Sequence, residues 1–189
     1  MVDVTEIQKI VAVSNTGPLI STFHCGRTDL LNLYFSLTYI TASELIEFNK
    51  HGWLDDIRKL IKDGLIIVIE QLTNHEREES IRLAGKIAED PSSCDTNWQS
   101  HLPESEAMVL MLQRTQLMID IIFLDEKAAR HVAQELKIRI VGFPGLLARA
   151  GLDGLLTQNE IRQLLKTCQQ QGTHYSNHLI ENVAQTYGR

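Results

Sequence analysis

A chain of 189 residues with 43% hydrophobic content is long enough to bury a substantial core, and its size suits one domain better than two. The formal charge of −6 excludes a broadly basic nucleic-acid binder held by counterion release alone, though not a nuclease that gathers carboxylates around a cation. Three widely spaced cysteines, Cys25, Cys94 and Cys168, form no CxxC pair and argue against a disulfide framework or a structural zinc site, leaving buried or incidental thiols as the expectation.

No run of about 18 apolar residues is present, and the opening Met1-Val-Asp-Val-Thr-Glu6 carries acids where a secretory signal would be basic, so a cytoplasmic protein with no membrane association is expected. The first regular element is the stretch Ile10-Val-Ala-Val-Ser-Asn15-Thr16-Gly-Pro18-Leu-Ile20. Its β-branched residues are apolar on both faces, as in an interior strand of a sheet covered on both sides. Asn15, Thr16 and Gly17 break the run, and Pro18 suits a first helical turn, so polar side chains stand at the carboxyl end of a central strand.

A short helix from Pro18 to His24 and a second from Thr28 to Phe35 lead to a strand over Leu37–Ile40. Thr41-Ala-Ser-Glu44 has capping-box spacing and opens a helix through about Asn49. Trp53, Leu54, Ile57, Leu60 and Ile61 recur at helical spacing until Gly64, and Leu65–Ile69 reads as another buried strand. Thr73 or Asn74 caps a half-exposed helix bearing Ile81, Leu83, Ala84 and Ile87. Asp90 to His101 has turn-forming composition and reads as a loop. Pro103 then starts a helix containing Glu104 and Glu106.

Leu117–Leu124 is the next predicted strand, Asp125–Leu136 its return helix and Ile138–Val141 a closing strand. Gly142, Pro144 and Gly145 turn into Leu146–Ala150; Thr157-Gln-Asn-Glu160 caps a helix to about Gln170, and Ser176 caps one over Asn177–Thr186. Strands alternating with helices predict an α/β fold with a mostly parallel sheet flanked by helices on both faces. The expected organisation is one domain over residues 1–189, an α/β core to about residue 150 and a C-terminal helical extension over about 151–189.

Asn15, Glu44, Glu104 with Glu106, and Asp125 with Glu126 share one address, where a strand ends and a helix begins. Taken singly, each is more readily a cap that satisfies free N–H groups and complements the helix dipole, and Glu44 has a full structural reason as the third residue of its box. Taken together they differ, because a parallel sheet brings the carboxyl ends of its strands to one edge. Carboxylates gathered there repel one another unless a cation sits among them, and Mg²⁺ or Mn²⁺ prefers such oxygen ligands. The seven histidines form no HExxH pattern, and no P-loop is present.

The segments Val-Ser-Asn15-Thr16-Gly-Pro18-Leu-Ile, Thr41-Ala-Ser-Glu44, Pro103-Glu104-Ser-Glu106-Ala-Met-Val-Leu and Phe-Leu-Asp125-Glu126-Lys-Ala-Ala-Arg130 resemble the PIN-domain family, and especially a bacterial and archaeal branch related to VapC-type toxins. Val-Gly142-Phe-Pro-Gly145-Leu-Leu-Ala-Arg and Gly172-Thr-His-Tyr-Ser176-Asn-His-Leu-Ile resemble that branch too, so the likeness spans nearly the whole chain.

The resemblance implies a PIN-like fold and a Mg²⁺- or Mn²⁺-dependent endoribonuclease, homodimeric and neutralised by a small antitoxin protein. It puts the family's first acid on Asn15 with Thr16 as hydroxyl neighbour, the second on Glu44, the third on Glu106 with Glu104 beside it, and the fourth on Asp125 or Glu126. Lys127 and Arg130 follow as phosphate contacts, a role that a solvated helix face would explain equally well. Asn15 departs from the pattern because an amide offers a carbonyl oxygen without negative charge. That departure favours the competing expectation, a catalytically impaired PIN-like module that binds nucleic acid or protein. A phosphoacceptor receiver domain would also place acids at strand ends, but it needs a central Asp and a later strand-end Lys that have no counterpart here.

Overall fold

The computed structural model describes residues 7–189 and arranges them as the alternation predicts. Five strands, β1 (Ile10–Ser14), β2 (Phe35–Thr41), β3 (Ile66–Ile69), β4 (Ile121–Phe123) and β5 (Ile140–Val141), form one sheet in the order β3-β2-β1-β4-β5. Every neighbouring pair is parallel. The chain leaves β1 toward β2 and β3 and later returns to its other side as β4 and β5. The connections therefore diverge at the carboxyl end of β1, where open α/β sheets leave a crevice.

Among the described residues ten α-helices cover the sheet: α1 (Thr16–His24), α2 (Thr28–Tyr34), α3 (Ala42–Lys50), α4 (Leu54–Lys62), α5 (Asn74–Glu89), α6 (Leu102–Gln113), α7 (Lys127–Glu135), α8 (Phe143–Leu152), α9 (Gln158–Gln170) and α10 (Asn177–Tyr187). Side chains of a strand point alternately to its two faces, and here both faces are apolar. Ala12 and Phe123 join a core shared with α1, α3, α8, α9 and α10, while Val13, Ile122 and Leu124 join one formed with α5, α6 and α7. The last three helices thus pack into the same core as β1, with Ile161, Leu165, Ile180 and Ala184 fully buried beside it.

The helix starts follow the local chemistry. Glu44, Glu76 and Glu160 each reach back to the backbone N–H of Thr41, Thr73 and Thr157, three reciprocal caps. Ser176 Oγ accepts from Leu179 N–H at 3.1 Å.

Differences from expectation lie mainly at element ends. Phe35, predicted to end a helix, begins β2, and Thr41 closes that strand. The predicted strand Leu117–Leu124 shortens to Ile121–Phe123: Thr115–Leu117 is a 3-10 turn, Met118 is left-handed at φ +50°, and Asp120 Oδ2 accepts from Val11 N–H at 2.9 Å, fixing where β4 joins β1. Lys137, at φ +57°, delays β5 to Ile140. The return helix starts at Lys127 because Glu126 caps it. The loop Asp90–His101 ends in a 3-10 turn over Trp98–His101, with the buried His101 held 2.8 Å from the Asp95 carbonyl.

Candidate functional site

Asn15 is the first residue beyond β1, and its amide does two jobs. Its Oδ1 accepts from Gly17 N–H at 3.0 Å and caps α1, while its Nδ2 donates to Glu104 Oε1 at 2.7 Å. The side chain therefore turns a donor, rather than the carbonyl oxygen considered from sequence, toward the neighbouring carboxylate. Glu104 stands in the first turn of α6 and is buried at 7% exposure, and its second oxygen has no hydrogen-bond partner among the described residues. Burial chiefly raises its pKa, to about 8, and the charges of Glu47, Glu126 and Glu106 add to the rise.

Around this pair opens a cleft of about 430 Å³ lined by Asn15, Thr16, Gly17, Glu47, Glu104, Asp125, Glu126 and the segment Gln171–Thr173, with His24, His51 and Trp53 at its wall. Asp125 follows β4, and two donors from distant parts of the chain hold it. Phe143 N–H, at the start of α8, donates to Oδ1 at 3.1 Å, and the Tyr175 hydroxyl donates to Oδ2 at 2.7 Å. Gly142 makes this approach possible, because a Cβ there would collide with Asp125 Oδ1. Desolvation raises the Asp125 pKa to about 6 against the pull of these donors.

Glu126 spends both oxygens on the N–H groups of Ala128 and Ala129 as the cap of α7. The pair left open by the sequence thus divides by role: Asp125 is gripped across the site, and Glu126 lies at the cleft but also closes a helix.

Two residues picked from the sequence do not line this cleft. Glu44 is fully buried, with one oxygen on Thr41 N–H and its pKa pushed well above the carboxylate range, first by burial and then by Glu106, Glu104 and Glu47. It does not line the cleft. Glu106 accepts from Thr41 Oγ1 at 2.6 Å and Ser43 Oγ at 3.0 Å, and it borders a neighbouring groove of about 330 Å³ with Arg77, Ile81 and Trp98. Of the acids expected to meet at Asn15, Glu104 lines the cleft and Glu47 joins it there, while Glu44 and Glu106 stand behind it, close enough for their charges to act on one another, and Glu44 Oε1 is likewise buried without a hydrogen bond.

Glu47 follows Glu44 by one turn of α3, so the helical period, applied after the capping box had used Glu44, would have found it. Its Oε2 is shielded and unpartnered, like Glu104 Oε2 and Thr16 Oγ1. Tyr175 and the histidines at the wall have no comparable local signal. Lys127 is exposed at the start of α7, while Arg130 commits one guanidinium nitrogen to the Leu124 carbonyl at 2.7 Å.

Among the described residues no three acidic, histidine or cysteine side chains form a ready-made metal cage. The donor set nevertheless fits a hard divalent cation, since two carboxylate oxygens, on Glu104 and Glu47, are withdrawn from solvent without a hydrogen bond beside Asp125. Such groups are costly unless something binds them, and Mg²⁺ in particular needs only one or two protein carboxylates and keeps its waters.

A parallel sheet with an acid-lined cleft at the switch point beside β1 defines a PIN-like α/β protein. Residues 11–189 match the family model DUF3368, described as PIN domain, and the chain belongs to the PIN-domain family, whose members are in general nucleases that typically use divalent metals. No curated protein and no solved structure matches it. No helix among the described residues is long and apolar enough to cross a membrane.

Proposed function

We propose that this chain is a Mg²⁺- or Mn²⁺-dependent endoribonuclease whose metal is held by Glu104 and Asp125 with Glu47, and whose Asn15 positions Glu104. The observation that carries this reading is the buried, unpartnered Oε2 of Glu104, a residue that lines a cleft with three further acids, Glu47, Asp125 and Glu126. When bound, the ion would lower the pKa of a water and offset charge on a phosphodiester.

The chain's own groups prepare the site. Asn15 Nδ2 fixes Glu104 through Oε1, so without a cation the proton that Glu104 retains at neutral pH sits on Oε2. Metal binding must displace that proton, which makes affinity rise with pH. Tyr175 and Phe143 N–H orient Asp125, and Thr16 Oγ1, buried without a partner, is free to donate to a phosphate oxygen. Lys127 and Arg130 sit at the start of α7, the helix capped by the cleft residue Glu126, and would supply positive charge toward a phosphate.

The resemblance to VapC-type toxins supports a cytoplasmic homodimer silenced by a small antitoxin protein, to be captured by co-expression with a neighbouring open reading frame. The competing reading, a PIN-like module that binds RNA or protein without cleaving, is favoured by one feature, the neutral amide at Asn15.

The test is cleavage of end-labelled single-stranded RNA by metal-stripped protein titrated with Mn²⁺. Cleavage should require the ion, fall on the order of 100-fold or more in Glu104→Gln, and change by less than about 3-fold in Glu106→Gln, whose carboxylate lies in the other groove. RNA binding without cleavage at saturating Mn²⁺ would overturn the enzyme reading in favour of the binding module. Equal loss in both variants would overturn the assignment of the acids.

A further inference from the structure

Cys25, in the residue that closes α1, and Cys168, in the last turn of α9, are 143 positions apart in sequence, yet their sulfurs lie 3.3 Å from each other. Cys25 is half-buried and reachable, Cys168 is fully buried, and Cys94 is remote and exposed. The contact is between two thiols, closer than ordinary packing of sulfur atoms and directed enough to be a hydrogen bond. Cys25 Sγ also lies 3.2 Å from the Leu164 carbonyl oxygen, and Cys168 Sγ 3.6 Å from that of Ser21, so each sulfur sits against the partner helix.

These two helices form opposite parts of the candidate cleft. Thr16, Gly17, Ile20 and His24 of α1 line it, as do Gln171–Thr173, which continue from α9; Thr173 N–H bonds the Cys168 carbonyl at 3.0 Å.

We propose that Cys25 and Cys168 are a modification site: a dithiol that hydrogen peroxide converts to an intramolecular disulfide fastening α1 to α9 beside the cleft. The accessible Cys25 thiolate attacks a peroxide oxygen, forming an S–O bond and breaking O–O, and hydroxide leaves. Cys168 then gives up its proton and attacks the Cys25 sulfur, forming S–S and expelling the sulfenic hydroxyl, which leaves with that proton as water. Two electrons pass from the sulfurs to peroxide, and dithiothreitol returns them. The hydrogen bond from Cys168 holds the Cys25 pKa below the ordinary thiol value, with Arg27 assisting, and so favours the attacking thiolate at the reachable cysteine. This site stands independently of the nuclease reading.

The experiment uses the full chain carrying Cys94→Ser, which removes the exposed thiol that would otherwise form intermolecular bridges. Treatment with stoichiometric peroxide should remove two hydrogens from the intact mass, yield without reductant an alkylation-resistant peptide linking Cys25 to Cys168, and raise Tm by at least about 5 °C, since the closed loop is long. Dithiothreitol should reverse all three changes. Adding Cys25→Ser, a substitution at the half-buried member, should abolish the mass loss while the reduced protein still melts cooperatively. Two thiols still open to alkylation after peroxide, or oxidation of Cys25 to sulfinic acid without a linked peptide, would overturn the proposal.

Discussion

Glu104 gives the sharpest handle on the cleft. Its pKa rises from an ordinary 4.5 to about 8 in the folded chain, so the folded state holds a proton that the unfolded state has released. The stability that this proton represents is complete below pH 4.5 and is lost as pH climbs toward 8. At about 1.4 kcal/mol per unit, the cost of folding with Glu104 grows by roughly 3–4 kcal/mol between pH 5 and pH 8. Glu104→Gln retains a carbonyl oxygen for Asn15 Nδ2 and removes the titration.

Urea unfolding of both proteins at the two pH values, in chelator, measures the difference: Asp125 titrates in both and cancels, while Glu44 loses the push of the Glu104 charge in the variant, which adds to the difference in the same direction. The wild type should lose about 3 kcal/mol more than the variant on going to pH 8. Saturating Mn²⁺ at pH 8 should restore the wild type and leave Glu104→Gln unmoved. Parallel pH profiles for the two proteins would refute the claim that Glu104 is buried protonated beside other acids.

Two further substitutions probe its neighbours. Asn15→Asp replaces the donor 2.7 Å from Glu104 with a second carboxylate, so the metal-free protein should unfold at lower urea at pH 8 while calorimetry finds Mn²⁺ bound at least about 10-fold more tightly. Tyr175→Phe deletes a donor to the Asp125 carboxylate and should cost about 1.5–3 kcal/mol at pH 8, where Asp125 is charged, and less at pH 5, where it is neutral; urea midpoints at both values check it.

What could be read from the sequence was local. The apolar run of β1 and its polar end, the capping boxes at Thr41 and Thr157, and the alternation that implies a parallel sheet all depend on residues a few positions apart. Which acid of a cluster faces the cleft depends on helix phase, and that is set by packing. Glu104 and Glu106 lie two residues apart on α6, about 200° around its axis, so one helix presents them to different recesses. With an acid at both positions, sequence alone gives no reason to choose. Burial of Pro103, Ala107 and Val109 decides, turning Glu104 to Asn15 and Glu106 to Thr41 and Ser43. Tyr175 reaches Asp125 from 50 positions away and the two sulfurs meet from 143, distances across which no periodicity carries information.

The amide at position 15 then acquires a physical role that a charge count would miss. An aspartate there could still cap α1, but it would set a carboxylate against Glu104 at hydrogen-bond distance, a pair that needs a shared proton or a cation to persist. Asn15 instead offers Glu104 a neutral donor, so the acid stays oriented whether or not it is charged. Under the proposed function this would make the site less dependent on metal for its stability and weaker in its pull on metal, since one full charge is missing from the cleft. On the proposed metal-dependent reading Glu104 is the group that changes state when an ion binds, and its raised pKa places that change close to neutral pH. A single hydrogen bond at the end of β1 thus couples the fold's most central strand to the protonation of the residue on which the proposed chemistry depends.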